Sequence, residues 1–330
     1  MGAAPPARVL VSEAPGSKPG AGERGGVADG GGGHGLGESS KEEPSDGLLV
    51  GDSAEELLNL AVQAAHWSGA VLRDRFLYGK DAEVETKSTP TDLVSEADRT
   101  SQRHIREKLA LRRPQDGFLG EEDDDDEPGT SGLRWVVDPL DGTVNFLFRI
   151  PQWCVSVAVR DDLGTVAGAI YDPIREELFT VVRGGKARMR CPVTYRRGWP
   201  VPSMGPRKYT EQTLNGPARA PELSSAMVAT GFAYDARVRA AQAQVLAGVI
   251  PRVRDIRRFG SAALDLAWTA AGRYDAYFER TVKPWDIAAG TLLCEAVGLQ
   301  VVELPEHKDL PWGILVAPPV LCEPLLELVG

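Results

Sequence analysis

The run Trp135–Phe146, WVVDPLDGTVNF, limits what this chain can build more than any other stretch of its 330 residues. Its apolar opening reads as a strand running into Asp138, because Pro139 has no N–H with which to continue a ladder. Asp141, Gly142 and Thr143 then open a helix-like turn. Two carboxylates three positions apart at a strand end can converge on one point. The Gly142 and Thr143 N–H groups can face the same point as an anion cradle. Acids beside an anion site make electrostatic sense only with cations between them, and hard oxygen donors next to phosphate favour Mg²⁺. A bare Asp-Pro-Xaa-Asp-Gly is also a common surface turn, so the neighbouring segments carry the decision.

Three further stretches supply acids. Lys283–Gly290, KPWDIAAG, puts Asp286 at the start of a helix, where capping is its simplest role. Thr91–Asp98, TDLVSEAD, adds Asp98. Gly120–Pro128, GEEDDDDEP, holds seven consecutive carboxylates, and such a run by default is a solvated turn. Trp285 reads as a packing residue.

Periodicity places these segments. Ser53 and Glu56 form a capping-box pattern ahead of a helix that runs to about Phe76. A second helix spans about 94–112 and ends before Arg113-Pro114. Strands follow at 134–137, 154–160, 166–171 and 177–182. The second half alternates: strands near 226–230, 255–257, 274–278, 299–303 and 313–316, with helices around 236–250, 261–272, 286–297 and 320–328. That order predicts a layered α/β architecture. Residues 1–50 carry 13 of the 36 glycines, five prolines and no aromatic residue, so they are expected to form a disordered tail. Residues 51–330 are expected to form one domain, with a metal-binding half over 51–185 and a substrate half over 223–330.

Between the halves, 186–222 is a Pro- and Gly-rich connection bearing Lys186, Arg188, Arg190, Arg196, Arg197, Arg207, Lys208 and Arg219 against Glu211 and Glu222. Its simplest form is a solvated loop or extended hairpin; a lid or partner-binding loop is the alternative. The whole chain has net charge −10, which argues against a broad nucleic-acid-binding face. No apolar run approaches a membrane span. Cys154, Cys191, Cys294 and Cys322 lack metal-ligand spacing and read as reduced thiols of a cytoplasmic protein.

Four ordered segments, Lys87–Asp98 (KSTPTDLVSEAD), Gly120–Glu122, Asp138–Phe146 and Trp285–Gly290, together resemble the inositol monophosphatase family, the Mg²⁺-dependent, lithium-sensitive phosphomonoesterases. The resemblance covers about residues 54–330 and implies the αβαβα sandwich shared with fructose-1,6-bisphosphatases. It implies that Glu121, Asp138 and the Leu140 carbonyl bind one Mg²⁺, that Asp138, Asp141 and Asp286 bind a second, and that Glu121 faces a third. Thr143, hydrogen-bonded to Asp98, would orient and deprotonate the attacking water, and the Gly142 and Thr143 N–H groups would hold phosphate. Lys87 would sit on a loop near the third ion; without the resemblance it is a solvated lysine. Arg257–Asp265 and Tyr274–Arg280 match the family's sugar-facing segments, so Gly260, Ser261, Ala262 and Glu279 would meet the alcohol. A carboxylate at 279 suits a neutral polyol, such as that of inositol 1-phosphate, better than a second phosphate. The resemblance further implies a small-molecule phosphate ester as partner and a homodimer. A bisphosphatase and a non-catalytic regulatory protein on the same fold are the alternatives.

Overall fold

The computed structural model describes residues 53–79, 84–86, 93–122, 126–193, 195–196, 199–200, 208–218 and 222–330. The Gly-rich tail, Lys87, Asp123–Asp125 and part of the basic connection lie outside the described residues. Ser53 begins α1 (Ala54–Tyr78) with the expected capping box: its hydroxyl accepts the Glu56 N–H at 3.2 Å, and the Glu56 carboxylate accepts the Ser53 N–H at 3.1 Å. Such a cap contributes about 1 kcal/mol. A short hairpin, β1 (Val84–Thr86) and β2 (Leu93–Ser95), leads into α2 (Glu96–Arg112), which stops before Arg113-Pro114. Next come β3 (Gly117–Gly120), β4 (Arg134–Asp141), the single turn α3 (Thr143–Leu147), β5 (Cys154–Asp161), β6 (Gly164–Asp172) and β7 (Glu177–Val182). The basic connection supplies β8 (Arg188–Pro192), the two-residue pair β9 (Tyr195–Arg196) and β10 (Trp199–Pro200), and β11 (Tyr209–Thr213). The second half holds β12 (Met227–Thr230), α4 (Ala236–Val249), β13 (Asp255–Arg257), α5 (Ala262–Ala270), β14 (Ala276–Arg280), α6 (Pro284–Ala296), β15 (Gln300–Leu304), β16 (Gly313–Ala317) and α7 (Pro319–Val329).

Seven strands form one sheet in the order β11-β8-β7-β6-β5-β4-β3, antiparallel except for β3 with β4. Among the described residues, five form the second large sheet, β13-β12-β14-β16-β15, in which β13, β12 and β14 run parallel. Side-chain alternation sorts the layers. On β4 and β5, Trp135, Val137, Val155, Val157 and Val159 face α1 and α2, while Val136, Cys154 and Ala158 face the opposite way. That second face packs with α5 and α6, which pack in turn on Tyr277, Ile314 and Val316 of the second sheet. The far side of the second sheet, through Val228, Phe278 and Leu315, is covered by α4 and α7. The result is the αβαβα sandwich. Each fully buried Val or Leu in these interfaces contributes roughly 1.5–3 kcal/mol. No described helix is long and apolar enough to cross a membrane.

The structure departs from the sequence expectation in three places. Gly117–Gly120 is a strand, although four residues bracketed by glycines carry no period. The base of the basic connection takes the extended-hairpin form expected of it, but its strands β8 and β11 end the first sheet, so that sheet continues past residue 185. The strand expected at 274–278 runs instead over Ala276–Arg280, because Gly272 turns the chain at φ +71° and delays the strand's start.

Arg280 ties the C-terminus to this framework. Its buried guanidinium donates to the carbonyls of Pro305 (2.9 Å), Pro311 (2.8 Å) and Val329 (2.8 Å). Arg280→Ala leaves three acceptors without this donor and should lower the unfolding free energy by about 3 kcal/mol, read from the shift in urea midpoint.

Candidate active site

The first sheet delivers two acids side by side. β3 and β4 are parallel with Gly120 opposite Val137, so Glu121 leaves its strand next to Asp138. Pro139 follows, and the β4–β5 register shifts between Asp138 and Asp141, which lets the strand bend where the carboxylates emerge. Gly142 then takes φ +101°, and a Cβ there would come within 2.9 Å of the Gln152 carbonyl oxygen. The turn therefore needs glycine. α3 is only one turn long, so any anion affinity comes from its local N–H groups rather than from a long helix dipole.

The second sheet closes the site from the other side. Its parallel strands β12, β13 and β14 end together, and the segments leaving them (231–235, 258–262 and 281–286) gather there, as ligand-binding segments do at the carboxyl ends of open α/β sheets. Together the two halves line a cleft of about 570 Å³ that includes Glu121, Asp138, Leu140, Asp141, Gly142, Thr143, Gly260, Ala262, Glu279 and Asp286. Asp98 stands behind it on α2, fully buried, and its carboxylate accepts the Thr143 hydroxyl at 2.9 Å. The same hydroxyl is 3.1 Å from the Leu140 carbonyl oxygen.

Each acid is held by a specific donor. The Leu140 N–H donates to Asp138 at 2.9 Å, and the Lys283 N–H donates to Asp286 at 2.6 Å, so Asp286 does cap the first turn of α6. Asp141 accepts the Ser261 hydroxyl at 2.6 Å and the N–H groups of Ala263 and Ala262 at 2.7 and 3.2 Å. The Cys154 thiol lies 3.7 Å from the same carboxylate. Burial pushes Asp138 well above the usual carboxylate range, and the charges of Glu121, Asp141 and Asp286 push it further. Asp286 is raised well above that range by burial, then by Asp141 and Glu121. Burial raises Asp141 too, against the pull of Ser261 and the α5 N–H groups.

This oxygen-only donor set fits a hard divalent cation, since positive charge would relieve the repulsion that raises these groups. Among the described residues, no three such side chains are drawn together as a ready-made ligand cage. The cause is visible in the hydrogen bonds: Asp141 is turned to α5 and Asp286 to the Lys283 N–H, which separates like charges.

Two side chains sit differently from expectation or went unforeseen. Ser261, expected to face substrate, is buried and spends its hydroxyl on Asp141, so it supports an acid instead. Asn145 donates to the carbonyls of Gln152 and Phe259, both at 2.7 Å, and so clamps the β13–α5 loop to the Asp141 turn. Its place in DGTVN was the only sequence sign. Cys154, Cys294 and Cys322 are buried and Cys191 is half-buried, all as free thiols.

The chain belongs to the inositol monophosphatase family, whose family model matches residues 53–328. It is 39% identical over 251 residues to the inositol-1-monophosphatase of Mycobacterium bovis, covering 74% of this chain and 81% of that protein. It is 35% identical over 263 residues to the Nus factor SuhB of Escherichia coli K12, covering 79% and 90%. The crystal structure of the extragenic suppressor protein suhB from Bartonella henselae superposes with a TM-score of 0.70 at 33% identity, covering 83% of this chain and 98% of that one.

Glu279 offers a test of the site's electrostatics. It accepts the Tyr277 hydroxyl at 2.9 Å, yet its pKa is pushed up from 4.5 to about 7, chiefly by burial. A carboxyl raised in the fold holds its proton there longer than in the unfolded chain. Its contribution is therefore full below about pH 4.5 and is lost as the pH rises to about 7, on the order of 3 kcal/mol. In metal-free buffer, Glu279→Gln and wild type should have similar unfolding free energies near pH 4.5, with the variant relatively more stable by pH 8.

Proposed function

We propose that this protein hydrolyses a phosphate monoester with the help of Mg²⁺, with inositol 1-phosphate or a similar polyol phosphate as substrate. The observation that carries this reading is the gathering of Glu121, Asp138, Asp141 and Asp286 around one cleft with the Leu140 carbonyl. Glu121, Asp138 and the Leu140 carbonyl would hold one ion, Asp138, Asp141 and Asp286 a second, and Glu121 would face a third. Mg²⁺ bound there would neutralise the phosphate dianion, lower the pKa of the attacking water and stabilise the leaving alkoxide.

The chain's own groups do the rest. The Thr143 hydroxyl, with its hydrogen directed to Asp98, presents an oxygen that can take a proton from water as its own passes to the buried carboxylate. The Gly142 and Thr143 N–H groups orient the phosphate, and Glu279 accepts a hydroxyl of the alcohol. Water is the nucleophile in an in-line displacement: no Cys or His lines the cleft among its described residues, and the Cys154 thiol is buried with its pKa raised well above the ordinary value. Lithium sensitivity, a homodimer and a cytoplasmic location follow from the same family reading. Lys87, near the third ion in that reading, lies outside the described residues.

The name of the Escherichia coli relative supports a second reading, a regulatory role on the same fold. Phosphate release decides between them. The protein with Mg²⁺ should hydrolyse inositol 1-phosphate in preference to fructose 1,6-bisphosphate, 3′-phosphoadenosine 5′-phosphate and histidinol phosphate. No release from any ester would sink the enzyme, and preference for a bisphosphate would sink the polyol. Asp138→Asn should lower kcat/KM by about 10³-fold. Its metal-free melting temperature should hold or rise, because one of four mutually repelling charges is gone.

A further inference from the structure

A single hydrogen bond from an alcohol hydroxyl to Glu279 does not orient a ring. The wall around it carries a second charge. Arg258 is exposed, lines the cleft and, among the described residues, has no ion-pair partner. Its guanidinium carbon lies 5.6 Å from the centre of the Phe232 ring. One of its terminal nitrogens is 2.5 Å from where a Cβ on residue 260 would stand, so the side chain folds back over Gly260, whose φ is +80°. The Glu279 carboxylate packs against Gly231, where a Cβ would overlap it. Gly231 and Phe232 are adjacent, so the carboxylate and the guanidinium rest side by side on one short segment. The Arg258 charge is among the influences that hold Glu279 down. Lys283, the other cation among the described lining residues, stands three positions from Asp286 at the acid end.

The chemistry of the pair is specific. A carboxylate accepts an O–H, whereas a guanidinium only donates, in a planar fork fixed by its own geometry. Adjacent hydroxyls on a ring satisfy both, one donating to the carboxylate and its neighbour accepting from the guanidinium. A second phosphate would pair with Arg258 and face repulsion from Glu279, and a simple alcohol would leave both charges unmatched. We propose that Arg258, seated on Phe232 and over Gly260, is a specificity-determining residue that with Glu279 brackets a vicinal diol on the alcohol half of the ester. This rests on the polyol-phosphate reading and narrows it to ring polyols with neighbouring hydroxyls.

The test compares inositol 1-phosphate with cyclohexyl phosphate, the same ring without hydroxyls, and with fructose 1,6-bisphosphate, in wild type, Arg258→Ala and Arg258→Lys. Wild type should prefer inositol 1-phosphate. Arg258→Ala should lower the ratio of kcat/KM for inositol 1-phosphate over cyclohexyl phosphate about 10- to 100-fold, mainly through KM for the inositol ester. Arg258→Lys, which keeps the charge but not the fork, should recover part of that ratio. An equal loss on both ring esters would reduce Arg258 to a structural or general electrostatic role and overturn the proposal. A loss confined to fructose 1,6-bisphosphate would make it a phosphate anchor and overturn it as well. If wild type releases phosphate from none of the three, the phosphatase reading itself falls; turnover with an unchanged ratio defeats only the diol bracket.

Discussion

The carboxylate of Asp141 accepts hydrogen bonds from Ser261, Ala262 and Ala263 while it lines the acid-rich cleft. It leaves the end of a strand in the first sheet and caps a helix of the middle layer, so it joins the two halves at the point where they form one site. Asn145, four residues on, repeats the joint by holding the Phe259 carbonyl. Neither half could shift against the other without exposing or stranding these buried polar groups, which costs about 1–3 kcal/mol for each unsatisfied group. The cleft is therefore built across a seam that the acid itself locks.

That lock conflicts with charge. Asp138, Asp141 and Asp286 are all raised by burial, and Asp138 and Asp286 also by one another's neighbours. Folding alone would favour neutral side chains at these positions, since buried like charges oppose it. Local hydrogen bonds relieve part of the strain by turning Asp141 toward α5 and Asp286 toward Lys283. The arrangement is a compromise in which structural duties hold the acids in place and leave them short of positive charge. A group that serves as both helix cap and acid can respond to a cation without rebuilding the backbone.

Much of this was legible in the sequence because it is local. The Ser53–Glu56 cap, the period of α1 and the strand–acid–turn order of 135–146 depend on neighbours a few residues apart and are found, although β4 continues past Pro139 to Asp141 across a register shift. The acids of the motifs line one cleft, although no three of their side chains are drawn together among the described residues. What sequence hid depends on distance. The family match places Ser261 beside the substrate, and nothing local shows that its hydroxyl faces an acid 120 positions away. Asn145 draws no assignment because the carbonyl it serves lies 114 positions away. β3 was invisible because four residues owe their strand state to the parallel neighbour β4. The basic connection reads equally as loop or extended hairpin because Arg188 and Arg190 alternate with Met189 and Cys191, a period of two obscured by charge on both outward positions.

Names among the relatives divide between an inositol-1-monophosphatase and a Nus factor, and fold alone cannot choose between them. Electrostatics narrows the choice. A regulatory surface needs exposed side chains, and its requirements end at the first layer of atoms. Asp98 and Asp138 are almost fully buried, and Asp98 does nothing for a partner outside the molecule. Its carboxylate accepts the hydrogen of Thr143, a hydroxyl that lines the cleft. A chain that used this fold only as a platform would gain stability by replacing such acids with neutral residues of the same shape. The buried acids therefore favour the phosphatase reading proposed above, whatever the outer surface also does.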